Sequence, residues 1–178
     1  MLATAQKSGV CVKVSWMLQR DMPEVLAIER QNFEFPWSED DFIRTLRWRN
    51  CLGLTAEHED KIAGFTIYEL CKDRIHILNI AVRPSYQRQG VGSQIISKLI
   101  SKLSAQRRPL IVSEVRETNL AAQLFFRKCG FRAISVLRGC YQDTQEDAYV
   151  MEYRRRSTTP DQNGGGQKSS PILGPLAG

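Results

Sequence analysis

The sequence predicts an α/β chain, α+β in its connectivity: one mixed sheet with helices on both faces. Three observations predict it. Val91, Ile95, Ile96, Leu99, Ile100 and Leu103 recur at helical spacing, which marks a long amphipathic helix. Three strand-like runs, 52–57, 62–71 and 74–82, follow one another across the short breaks HED and KD, which suit hairpin turns. Helix and strand patterns continue on both sides of this block, giving the order β-α-α-β-β-β-α-β-α-β-β.

Each element has its own signal. Residues 10–18 alternate well enough for a first strand. Asp21 offers an N-cap, with Pro23 in the first turn and Glu24 at the capping-box position, so a helix runs to Phe33. Ser38 caps a second helix, with Asp41 at the box position, to Trp48. After the three strands, the long helix spans 90–105. Residues 110–116 read as a strand and 119–129 as a helix, with Gly130 its C′ stop. Strands 131–137 and 147–153 close the unit. Residues 10–156 are therefore the folded domain, with 1–9 a flexible N-terminus. From Ser157 the run STTPDQNGGGQKSSPILGPLAG is rich in Gly, Ser and Pro and has no apolar period; 157–178 reads as a disordered tail.

Composition narrows the function. The 178 residues are 42% hydrophobic and 25% charged, which excludes a wholly disordered chain and a collagen-like repeat. No stretch approaches the ~18 apolar residues of a spanning helix, so no membrane contact is expected. The N-terminus MLATAQKSGVCVKV lacks an apolar signal region, which predicts a cytoplasmic protein. The net charge of +6 suits an anionic partner, or equally a solvated basic surface, and direct nucleic-acid binding is not expected. Five widely spaced cysteines, no C-x-x-C and two histidines argue against a zinc site or a disulfide framework, so no metal is expected. A nucleophile–histidine pair would need His58 or His76, and neither stands in a familiar context.

The densest chemical signal is Asn79-Ile80-Ala81-Val82-Arg83-Pro84-Ser85-Tyr86-Gln87-Arg88-Gln89-Gly90-Val91-Gly92. A strand ends, a turn follows, and two glycines open a helix. The amides at a helix start lack intrahelical partners and sit at the positive end of its dipole, which suits a pyrophosphate. Arg88 adds charge. No G-K-[ST] follows, so this is not a Walker A loop, and Ile95 stands where a Rossmann fingerprint needs its third glycine.

Q-R-Q-G-V-G resembles the acetyl-CoA motif of the GNAT N-acetyltransferase superfamily. Phe35-Pro36-Trp37-Ser38-Glu39, the N-I-A-V-R-P run, Glu114-Val115-Arg116-x-x-Asn119 and Glu146-Asp147-Ala148 are similar to the RimI family, bacterial ribosomal-protein alanine N-acetyltransferases. The likeness covers residues 12–153 and implies the GNAT fold, acetyl-CoA as co-substrate and a protein N-terminus, such as a ribosomal protein's, as acceptor. It implies that the pyrophosphate rests on Arg88, Gln89, Gly90, Val91, Gly92 and Ser93. The acyl arm lies along Ile80, Ala81 and Val82, and a backbone N–H near Val82 stabilises the oxyanion. Asn119 holds the pantetheine or orders its own turn. Pro36 and Trp37, with the 139–146 loop, line the peptide groove.

Two residues also read on their own. Glu114 lies in an otherwise apolar strand, where an unpaired carboxylate is costly. It is either paired with a base such as Arg116 or a general base, and the resemblance places the family's base there. On the 119–129 helix, Leu120, Ala121, Leu124 and Phe125 form a stripe, and Phe126 falls nearly opposite, away from the main core: a satellite hydrophobic contact or, as the resemblance implies, a residue beside the cofactor. RimI-like enzymes usually hold a tyrosine at that position, which protonates the departing thiolate. Tyr141 is the candidate substitute, or a substrate-lip residue. A lysine or small-amine acceptor, or a weak acetyl-CoA-binding module, are the alternative functions. At pH 7 about a tenth of α-amines (pKa ~7.7–8.0) are neutral, against under ~0.1% of lysines, so a carboxylate base favours the N-terminus.

Overall fold

The computed structural model describes residues 9–141 and 145–155. The tail expected at 157–178 lies outside these, as does the N-terminus before Gly9. Seven strands and four α-helices follow the predicted order: β1 Lys13–Trp16, α1 Met22–Asn32, α2 Glu39–Leu46, β2 Cys51–His58, β3 Lys61–Leu70, β4 Arg74–Val82, α3 Val91–Ser101, β5 Leu110–Arg116, α4 Leu120–Lys128, β6 Arg132–Tyr141 and β7 Glu146–Arg154. The strands form one sheet in the order β1-β2-β3-β4-β5-β7-β6. Only β4 and β5 run parallel, because α3 carries the chain over one face between them.

Helices cover both faces. Under α3 and α4, Ile75, Ile77, Ile111 and Val115 of the central strands meet Ile96, Leu99, Phe126 and Phe131. On the other face α1 and α2 bring Val25, Ile28 and Phe42 onto Phe65, Ile67 and Ala81. No described helix is long and apolar enough to cross a membrane. The turn between β2 and β3 places Glu59 and Asp60 at φ of 48° and 59°, the left-handed pair that a tight hairpin demands.

Two bounds shift, α3 ending at Ser101 rather than 105 and β6 running on to Tyr141 rather than 137, and two further local expectations fail. Asp21 does not cap α1 through its side chain. Its carboxylate instead accepts the Leu18 amide at 2.8 Å, and Glu24, expected at the box position, reaches across to the Ile62 amide and to Arg83. Asp21 is taken up by the short 3-10 turn before the helix, and Glu24 by tertiary donors. The capping box of Ser38 and Asp41 does form, because that helix start is exposed and has only itself to bond with.

The second failure concerns α4. Phe126 is its one buried residue, while Leu120 and Leu124 are more than half exposed. Ala122, Phe125, Phe126 and Cys129 form the inner face. Two apolar stripes of helical period compete on this helix, and burying both aromatic rings removes more apolar area from water. Phe126 packs edge-on against Phe125 and Phe131, with ring centroids 5.2 and 5.0 Å apart.

Candidate active site

The parallel pairing of β4 with β5 runs from Arg74↔Leu110 to Ile77↔Ser113 and stops there. Yet β4 continues to Val82 and β5 to Arg116. The cause lies in the register with β3: Ile67 faces Asn79 and Tyr68 faces Ile77, so Leu78 is an extra residue. Such a bulge bends its strand and switches which face the later side chains take. Ile75 and Ile77 point under α3, whereas Asn79 points toward α1. Residues 78–82 and 114–116 thus flank an opening at the middle of the sheet.

At the far end of β4 the chain turns into α3. Arg88 and Gly90 both take positive φ, 59° and 88°. A non-glycine residue there is uncommon, and the conformation folds successive amides toward one point. The first intrahelical bond is made by the Gln94 amide to the Gly90 carbonyl, so the amides of Val91, Gly92 and Ser93 have no partner within the helix. A Cβ on Gly92 would lie 2.9 Å from the Phe125 ring, so glycine lets α3 and α4 close up. The turn is braced from both sides. The Val10 amide donates to the Gln89 carbonyl at 3.0 Å, and the Gln87 side chain donates to the Val82 carbonyl and to Asn32. A braced row of amides without helical partners, beside Arg88, suits a diphosphate, which is what acetyl-CoA would place there.

Some predicted contacts are reassigned. The Val91 side chain is buried with Val10, Val12 and Val14, so only its backbone faces the turn. Ile80 and Val82 are half-buried beside α3, and Ala81 packs on the α1 side. Ser93 Oγ lies 3.8 Å from the Cys129 thiol. Asn119 caps α4 by accepting the Ala122 amide at 3.0 Å, the turn-ordering alternative. Trp37 turns inward, its ring edge-on to Phe42 and its amide on Glu29, while Pro36 stays exposed.

Glu114 is the first residue beyond the last paired rung. Its side chain, 27% exposed, meets His76 of β4: Nε2 to Oε2 is 2.5 Å. The other ring nitrogen, Nδ1, faces Glu69 of β3 at 4.0 Å, and Glu69 accepts from Asn50. Glu114 thus has an ionisable side-chain partner, and it is His76, not Arg116. Burial alone would raise the Glu114 carboxyl, but the hydrogen bond and charge of His76 outweigh it and hold the pKa below the usual value. Arg116 pairs instead with Glu146 at 2.8 Å and stacks on the Tyr141 ring, 3.8 Å from its centroid, with Phe35 5.7 Å away. The Tyr141 hydroxyl donates to the Glu114 main-chain carbonyl at 3.4 Å, and burial raises its pKa. Of the 139–146 loop, residues 142–144 lie outside the described residues.

A carboxylate held ionised beside an open slot, with an amide row at its far end, suits proton removal next to a phosphate-bearing donor. Residues 22–131 match the acetyltransferase (GNAT) family. The chain belongs to this family. It is an acetyl-CoA-dependent acetyltransferase with the GNAT fold. It is 33% identical over 140 residues to the [ribosomal protein bS18]-alanine N-acetyltransferase of Escherichia coli K12, covering 78% of this chain and 94% of that one. The Salmonella typhimurium enzyme of the same description is 32% identical over the same length. The crystal structure of the E. coli ribosomal-protein-S18-alanine N-acetyltransferase superposes with a TM-score of 0.73 at 29% identity, over 86% of this chain and all of that one. Arabidopsis thaliana NAA60 in complex with acetyl-CoA shares the fold at 16% identity, with a TM-score of 0.71 over 81% of this chain and 99% of that one.

Sequence reasoning missed His76, Glu69, Phe35 and Gln87. His76 had one usable signal: a polar residue alternating with Ile75 and Ile77 on a central strand.

Proposed function

We propose that this GNAT enzyme acetylates the α-amino group of a protein N-terminus, a ribosomal protein's by analogy with its bS18-directed relatives, and that Glu114 is its general base. The observation that carries the reading is the Glu114 carboxylate at the β4–β5 opening, 2.5 Å from His76 Nε2. Acetyl-CoA, when bound, supplies the acetyl thioester. The amides of Gln89 to Ser93 and the Arg88 charge hold the diphosphate end, and the β4 edge from Ile80 to Val82 holds the acyl arm. Phe35, Arg116 and Tyr141 wall the acceptor side of the slot. Pro36, next to Phe35, belongs to the same lip, with Trp37 anchoring it from beneath.

Glu114 takes the proton of the attacking amine, so the nitrogen's electron pair is free to form the new bond to carbon. Phe126 has no hydroxyl to protonate the leaving sulfur. A thiol of pKa ~8.5 is a tolerable leaving group as its anion, so turnover survives without a tyrosine there. Tyr141 is the nearest candidate acid, and its hydroxyl, set on the Glu114 carbonyl, also fixes the wall.

The test incubates the enzyme with acetyl-CoA and three acceptors: a peptide with a free N-terminal alanine, the same peptide N-blocked but with an internal lysine, and a small primary amine. Mass spectrometry should find one acetyl group on the free α-amine only. Acetyl on lysine or on the small amine would move the acceptor class. Acetyl-CoA binding with no transfer would leave a binding module, the reading that Phe126 keeps in view.

A further inference from the structure

We propose that His76 is a positioning residue of the base: its imidazole clamps one carboxylate oxygen of Glu114 and so aims the other at the attacking amine. The inference rests on the reading of Glu114 as the base. Glu114 stands one residue past Ser113, where the β4–β5 pairing ends. The backbone there is still held by β7, opposite Val150, but the long side chain over the opening keeps its rotamer freedom. His76 lies back inside the paired region, opposite Val112, and points to the face that Glu114 takes two residues later. The 2.5 Å contact from Nε2 to Oε2 joins the part of β5 that β4 no longer pairs to the paired part of β4. An ionised carboxylate only accepts, so the ring nitrogen is the donor.

His76 is itself held. Glu69 faces its Nδ1 from β3, and Asn50 donates to Glu69. The chain Asn50–Glu69–His76–Glu114 therefore crosses three adjacent strands at one level of the sheet. The other groups near it are Arg74 on its own strand, which acts on Glu114, and Cys51 and Cys71, which lie close to Glu69. The proton step is balanced: an amine N–H bond breaks, an O–H bond forms on Glu114 Oε1, and Oε2 keeps the hydrogen bond from His76. A misplacement of even an ångström at such a step costs up to about 100-fold.

Two variants and one spectrum test this. His76→Leu removes the donor, and His76→Gln puts an amide N–H at nearly the Nε2 position. His76→Leu should lower kcat roughly 10- to 100-fold with the KM for acetyl-CoA little changed. It should also move the acid limb of kcat to higher pH, because only the Glu114 backbone hydrogen bond and Arg74 then offset burial. His76→Gln should restore most of the rate. Equal losses in both variants, no loss in either, or an unmoved acid limb would overturn the role. Nitrogen-15 spectra give a readout independent of turnover, since the chain has only two histidines. The Nε2–H proton of His76 should lie far downfield in the wild type, as in a short hydrogen bond to a carboxylate, and move upfield in Glu114→Ala; an identical shift in both refutes the clamp. If the wild type acetylates no acceptor, the reading of Glu114 falls, whereas these spectra still decide the contact.

Discussion

Glu29 and Glu114 serve the same face of the sheet and are treated in opposite ways. Glu29 comes down from α1 and is 1% exposed. Its partners are neutral: the Trp37 amide at 2.9 Å and the Asn79 side-chain amide at 3.0 and 3.1 Å. Burial wins, and its pKa is raised. Glu114 lies one residue past the end of the β4–β5 pairing, half-buried, against an imidazole, and its pKa is lowered. Both carboxylates lose water on folding, and the outcomes diverge because only one has a neighbour that can carry charge. The closed site ties α1 and the Trp37 loop to β4. The open one lies at the β4–β5 opening and ties β5 to His76 of β4.

The sharpest way to break this contrast is Glu114→Gln. It keeps the shape and removes the proton acceptor. The rate should fall about 10²- to 10⁴-fold, as for loss of a positioned base, while acetyl-CoA affinity, measured by calorimetry, stays close to wild type. A near-wild-type rate would mean that the open carboxylate is as structural as the buried one.

The two sites also differ in how far the sequence discloses them. Strands β4 and β5 fall at the predicted residues, 74–82 and 110–116, because each is an apolar run closed by clear turn signals. Glu114 is legible for the same reason: a charge in such a run asks for an explanation. His76 is not, since it meets Glu114 from 38 positions away, through a register no local pattern encodes. The Leu78 bulge is equally silent, yet it opens the slot and turns Asn79 toward Glu29. On α4 the pattern misleads, because two apolar stripes share one period and only tertiary packing selects the one with Phe126.

Phe126→Tyr probes the wall behind the open site. The ring lies in the cluster that includes Ile77, with Ile80 packed against it, next to where β4 leaves β5. A hydroxyl on its far edge should reach the slot, raise kcat severalfold and leave acetyl-CoA affinity unchanged. Buried without a partner, the hydroxyl would instead cost about 1–3 kcal/mol. A lower melting temperature with no gain in rate would therefore place the para position in the core.

The smallest effect belongs to the closed site, and its sign is the informative part. The Asn79 side-chain oxygen is buried without a partner, while both Glu29 oxygens accept from the Asn79 amide nitrogen. Glu29→Gln supplies a donor to that oxygen and keeps an acceptor for the Trp37 amide. It should stabilise the fold by about 1 kcal/mol at pH 7, or roughly 2–4 °C in melting temperature for a chain of this size. The gain must depend on pH. A buried carboxyl with a raised folded pKa contributes its full stability below the unfolded value of 4.5 and loses it as pH rises through the folded value. The substituted side-chain amide does not titrate, so the variant's advantage should be least at pH 4 and grow toward neutrality. Melting curves across that range check this. An advantage that shrank as pH rose would mean that Glu29 folds as a satisfied anion, and the two carboxylates would then differ in position alone.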